Sequence, residues 1–137
     1  MNANVSSNVS NTAVLVGRIL LGALFIISGF GKITGYEGTA GYMASKGMPF
    51  VNLLLPAAIA IELGGGLLLA LGYKARWAAL AIFLFLIPTT LIFHAFWGID
   101  PKEAAMQQIN FLKNVSIAGG MLMVFAHGPG AYSVDRQ

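Results

Sequence analysis

Arg18, Glu62 and Lys113 each stand inside a long apolar stretch of this sequence. A charged side chain in hydrocarbon costs about 2.5–3.5 kcal/mol on insertion scales, so each must be paired, solvated or put to use. Arg18 and Glu62 are opposite in sign. Counted from the same end of their stretches they differ in depth by roughly 6 Å at 1.5 Å per residue, a gap an extended arginine spans. The sequence therefore predicts that Arg18 and Glu62 meet, either as a neutralising pair that fixes helix register or with Glu62 handling protons or a ligand.

A second group gathers toward the other end of the stretches. Lys32, His94, Gln107, Gln108, Asn110, Lys113 and Asn114 are polar residues close to aromatic Phe93, Phe96, Trp97 and Phe111. On a helix, Gln107, Asn110 and Asn114 share one face at i, i+3 and i+7. Lys32, His94, Trp97, Asn110, Lys113 and Asn114 are thus the candidate ligand-binding set. Lysines there would attract a carbonyl or anionic oxygen, an imidazole exchanges protons near neutral pH, and aromatic rings flank a planar head group. A quinone fits that description. The competing reading is ordinary interfacial anchoring by lysines and aromatics at head-group level.

Other chemistries fare worse. The chain has no cysteine, which excludes dithiol exchange and disfavours an iron–sulfur cluster. Haem is disfavoured because His94 and His127 fall toward opposite membrane surfaces, and His94 has only Asp100 and Glu103 near it in sequence, so no metal site is expected. The formal charge of +3 is scattered over loops and span ends, which argues against nucleic acid as a partner. No catalytic residue is identified, and whether the chain is an enzyme stays open.

The elements that must position these residues follow from composition. The chain has 137 residues, 57% hydrophobic and only 9% charged, with a mean hydropathy of +0.76. Residues 19–27 and 78–87 are apolar all round apart from glycine, unlike the one-faced pattern of a soluble bundle. Four stretches, at residues 12–33, 51–72, 75–96 and 108–127, each approach the roughly 20 residues needed to cross a bilayer. The fold class is an all-α, integral membrane four-helix bundle in one domain, 12–130, with a mobile tail at 1–11 and a C-terminal tail at 131–137. Gly64-Gly65-Gly66 and Gly119-Gly120 raise the alternative of two parallel-related helical hairpins, and either run could form a homodimer seam.

Connections are short. Residues 34–50 read as a compact loop or interfacial helix, Gly72–Lys74 as a tight turn, and Asp100-Pro101 as the start of a short helical turn ahead of the fourth span. Pro88 should kink the third span. Lys74, Arg76 and Arg136, with Arg18, outnumber Lys32, Lys46 and Lys102 on the opposite side, so both termini are expected in the cytoplasm.

Several segments carry a resemblance. Gly17-Arg18 through Gly22, Phe30-Gly31-Lys32, Tyr42 to Pro49, Glu62-Leu63-Gly64-Gly65, Leu71 to Arg76, His94-Ala95-Phe96, Gln108 to Asn114 and Gly128 to Asp135 occur in an order and spacing that resembles the DoxX family. These are small four-span bacterial inner-membrane proteins, and the ending and the Lys113-Asn114 pair look most like the uncharacterised branch. The resemblance implies location in the bacterial inner membrane and an association with redox systems, including thiosulfate:quinone oxidoreduction and complexes with soluble redox enzymes. Three functions compete. The first is a redox-associated membrane subunit that binds a quinone-like or aromatic head group. The others are a small-solute carrier or binding protein and a non-catalytic membrane anchor for a soluble enzyme.

Overall fold

The structure, a computed structural model, describes residues 2–135; Met1 of the expected N-terminal tail and Arg136 and Gln137 of the expected C-terminal one lie outside the described residues. Helix α1 spans Ala3–Thr34 and α2 spans Tyr36–Ser45. The second span begins as α3, Val51–Ile59, passes through a π-turn at Ala60–Gly64 and ends as α4, Gly65–Leu71. Helix α5 covers Ala75–Phe93 and α6 covers Pro101–His127. Among the described residues, four helical units are long and apolar enough to cross a membrane. Large apolar side chains such as Leu20, Ile27, Leu53, Trp77 and Met123 point outward, as in a bundle whose solvent is lipid, around a small core of Phe25, Leu69, Ile82, Leu86 and Met121.

Three segments differ from their sequence expectation. The Asn/Ser-rich segment read as a mobile tail is helical from Ala3, with the Asn2 side chain accepting from the Asn4 amide at 2.8 Å. A helix already nucleated in the apolar span propagates outward at little cost. The fourth span is not preceded by a separate turn: Asp100 caps α6 by accepting from the Lys102 amide at 3.2 Å, Pro101 follows at its start, and the helix runs unbroken for 27 residues. The C-terminal segment is strapped to the bundle, Val134 and Asp135 donating from their amides to Leu71 O at 3.1 Å and Gly72 O at 3.0 Å. Residues 34–50 contain α2, as one of the two readings had it.

Glycine sets the register of the first two spans. A Cβ on Gly22 would lie 2.7 Å from Gly66 O, and one on Gly66 would lie 2.9 Å from Gly22 O. Only bare backbone fits there, which is how membrane helices gain van der Waals contact without a hydrophobic drive between them. Gly65 and Gly66 are buried inside the bundle, against Ile82 and Ile26, so of the expected Gly64–Gly66 dimer seam only Gly64 has open space beside it.

The bundle forks at mid-depth. Helix α4 packs closely on α5, whereas α3, beyond the π-turn, packs on α1 and α2 and stands away from α5. The π-turn and Pro88 both fall near this divergence, as helix irregularities do where packing must change direction. Thr89 Oγ1 donates to Phe85 O at 2.8 Å beside the proline.

The glycine contact makes a prediction. Gly66→Ala should destabilise the protein by about 1–3 kcal/mol because the methyl group meets backbone. Gly119→Ala, where nothing lies within 4 Å, should leave the thermal midpoint in detergent unchanged.

Candidate functional site

The polar residues sort into three places. At the end of the bundle where the C-terminal segment folds back, Arg18 is 2% exposed. Its guanidinium donates to Pro129 O, to Tyr132 O at 2.9 Å and to Ala70 O at 3.3 Å. Gly72, at φ +73°, makes room for this knot: a side chain there would collide with Ser133 and sit 3.1 Å from the Arg18 guanidinium carbon. Asp135 completes it, its Oδ2 accepting from the Ala75 amide at 3.2 Å at the start of α5. Arg18 is therefore a clasp between the first span and the C-terminal segment.

The predicted Arg18–Glu62 contact does not form. With Gly22 against Gly66, antiparallel counting puts Glu62 level with about residue 26, some 12 Å of helix rise from Arg18. Glu62 is 5% exposed, and its partner is Lys32, whose Nζ lies 2.9 Å from Oε2 and 3.2 Å from Oε1. Ser28 closes the triangle, donating to Glu62 Oε1 at 3.1 Å and accepting from Lys32 Nζ at 3.0 Å. Ser28 and Lys32 share one face at i, i+4, a spacing visible in the sequence that would have pointed to this partnership.

Beside the Lys32–Glu62 pair lies a cavity of about 790 Å³ between α2, α3 and α5. Its walls include Met43, Leu54, Ala58, Ile61, Phe85 and Ile92, and its polar lining includes Lys32, Lys46, Thr39, Thr89 and His94. Tyr42 on α2 stacks on Phe93 on α5, ring centroids 5.5 Å apart, bridging the two helices where the fork is open. Lys46 lies 5.6 Å from the centre of the Tyr42 ring. Tyr42 and Lys46 were not among the sequence candidates because nothing in the sequence folds α2 over the fork.

The remaining candidates divide. His94 joins Lys32 on the cavity lining. His94 Nδ1 is 3.0 Å from Gln107 Oε1, which also accepts from Asn110 Nδ2 at 3.4 Å. Asn114 donates to the buried Thr90 at 3.1 Å, tying α6 to α5. Trp97 is exposed in an edge-to-face cluster with Phe96 and Phe111, at 5.4 and 6.2 Å. Lys113 is exposed on the outer surface of α6 and not in the cavity. Its position on α6 turns it away from Gln107 and Asn114, and its long stem lets the ammonium rise toward the head groups. The single predicted mouth is thus a cavity with Lys32 and His94, a bracing network with Asn110 and Asn114, and two exposed residues, Trp97 and Lys113.

Four apolar spans, with a buried carboxylate paired to a half-buried lysine and a cavity beside them, define a polytopic membrane protein. The chain belongs to the DoxX family, whose model matches residues 13–95. It is 42% identical to inner membrane protein YqjF of Escherichia coli, over 92% of both chains. It is 39% identical to inner membrane protein YphA of the same organism, over 90% of this chain and 89% of that one. A Surfeit locus protein 4 homolog of Schizosaccharomyces pombe is 29% identical over 90% of this chain but only 36% of its own length. No solved structure matches. The four apolar helices and the two bacterial relatives make this a multi-pass inner-membrane protein.

Two outcomes check the site's wiring. Lys32→Met should cost about 3–5 kcal/mol by leaving the Glu62 carboxylate without its cation, and Lys32→Met with Glu62→Leu should be milder than the sum. A double-mutant cycle on unfolding in detergent measures the coupling; additive losses would mean that the pair is not an interacting unit. Arg18→Leu should speed amide exchange at Val134 and Asp135, read by mass spectrometry, while leaving Met121 in the core protected.

Proposed function

We propose that this protein is a redox-associated membrane subunit that binds a quinone-like or aromatic head group in the cavity between α2, α3 and α5. The observation that carries this reading is the cavity itself: about 790 Å³ with apolar walls, Lys32, Lys46 and His94 on its lining and no carboxylate among the lining residues. That size lies within the range of small-molecule sites, and apolar walls with a few converging polar groups suit a planar head with an apolar tail. The positive rim favours oxygen atoms carrying partial negative charge. Lys32 is anchored by Glu62 and Ser28, so its charge is held in place before a ligand arrives.

The chain has no thiol, so electrons pass between the bound head group and a partner enzyme. The lysine and arginine balance favours cytoplasmic termini, which sets the cavity in the periplasmic half of the bilayer. A reporter enzyme fused after the last residue should be active only in the cytoplasm.

The test of binding is direct titration. Protein in lipid nanodiscs should bind a short-chain benzoquinone saturably, and Ala58→Phe, which fills the cavity, should weaken binding at least tenfold with the thermal midpoint retained. Equal uptake by the filled variant, or by empty nanodiscs, would sink the reading.

A further inference from the structure

The hydrogen-bond polarity of the cavity specifies the ligand more narrowly. We infer that the head group brings a hydroxyl of its own, as a phenol or hydroquinone does, and donates it to His94 Nε2. The inference rests on the proposed head-group site and names which chemical form of the head group that site prefers.

The two threonine hydroxyls of the lining have their protons already engaged. Thr39 Oγ1 donates to Gly35 O at 3.1 Å and Thr89 Oγ1 donates to Phe85 O at 2.8 Å, each turned back onto its own helix. Lys32 has three N–H bonds; two are donated, to Ser28 Oγ at 3.0 Å and to Glu62 Oε1 at 3.2 Å, while Glu62 Oε2 at 2.9 Å is an ion-pair contact that accepts no hydrogen bond. Lys32 brings charge to the cavity and keeps one N–H outside those two bonds. The other open donors, Tyr42 and Lys46, stand on the exposed rim formed by α2.

His94 supplies the opposite valence. Gln107 Oε1 accepts from Asn110 and meets His94 Nδ1 at 3.0 Å; a carbonyl oxygen cannot donate, so Nδ1 carries the hydrogen. In the neutral imidazole that fixes Nε2 as a bare acceptor, and Nε2 has no hydrogen-bond partner among the described residues. Nδ1 is turned to α6, which leaves the opposite edge of the ring for the cavity that His94 lines. An acceptor at this place, among hydroxyls whose hydrogens point elsewhere, is matched by a ligand O–H and not by a carbonyl. Gln107 is a positioning residue, acting through the tautomer of His94.

Three head groups with the same decyl tail separate the cases: a benzohydroquinone, its dimethyl ether and the benzoquinone, each titrated anaerobically into protein in nanodiscs at pH 8. The hydroquinone should bind about tenfold more tightly than either of the others, the size of one hydrogen bond. His94→Phe should abolish that preference. Gln107→Leu should remove the lock on the tautomer, letting Nε2–H form, and should raise quinone affinity relative to hydroquinone. A merely structural role of Gln107 would weaken all three alike. Three equal affinities in the native protein would overturn this inference and leave the head-group site standing. No binding by any of the three would overturn both.

Discussion

The bare-backbone contact of Gly22 with Gly66 governs the rest of the molecule. It brings the first two spans close, and closeness fixes their register because neither helix can slide without driving a side chain into backbone. From that register everything polar takes its place. Arg18 falls level with Ala70 and the C-terminal segment, and Glu62 falls where Ser28 and Lys32 reach it from the neighbouring helix. The ion pair is a consequence of the glycine packing, and its charges are placed by helices that meet for reasons of shape.

The same span then departs from α-helical geometry where its carboxylate sits. The π-turn at Ala60–Gly64 encloses Glu62, and beyond it α3 leaves α5 to form one wall of the cavity. A turn of this kind inserts an extra residue and shifts the faces on either side of it. Gly65 and Gly66 can therefore face the bundle core on one side of the turn while Leu54 and Ala58 line open space on the other. Cavity and ion pair share one irregularity in one helix.

Much of this was legible in the sequence, for identifiable reasons. Span length and apolarity are local properties, so the four-span all-α bundle follows from the residues alone. The involvement of Lys32 and His94 at one end follows from their positions at the ends of spans. Pairings were not legible in the same way. Counting from apparent span ends matches Arg18 with Glu62, but α1 extends well past the apolar stretch, and only the Gly22–Gly66 contact gives the true offset. Lys113 joins the candidate set by its place at the beginning of the fourth span, three residues from Asn110, yet it faces outward while Asn114, about 100° round the helix, faces α5. The backbone carbonyls that receive Arg18 carry no sequence signal at all.

The clasp around Arg18 also bears on how the protein is made. Its carbonyl acceptors at Pro129 and Tyr132 lie more than a hundred residues downstream, so the first span enters the bilayer long before they exist. Throughout synthesis that arginine must keep water, lipid phosphate or the insertion machinery as a temporary companion. A nascent chain that stalls or is truncated before the last segment carries an exposed intramembrane cation. Such a cation is a natural mark for membrane quality control, and it is hidden only when the fourth helix has docked and the strand of chain beyond it has folded back.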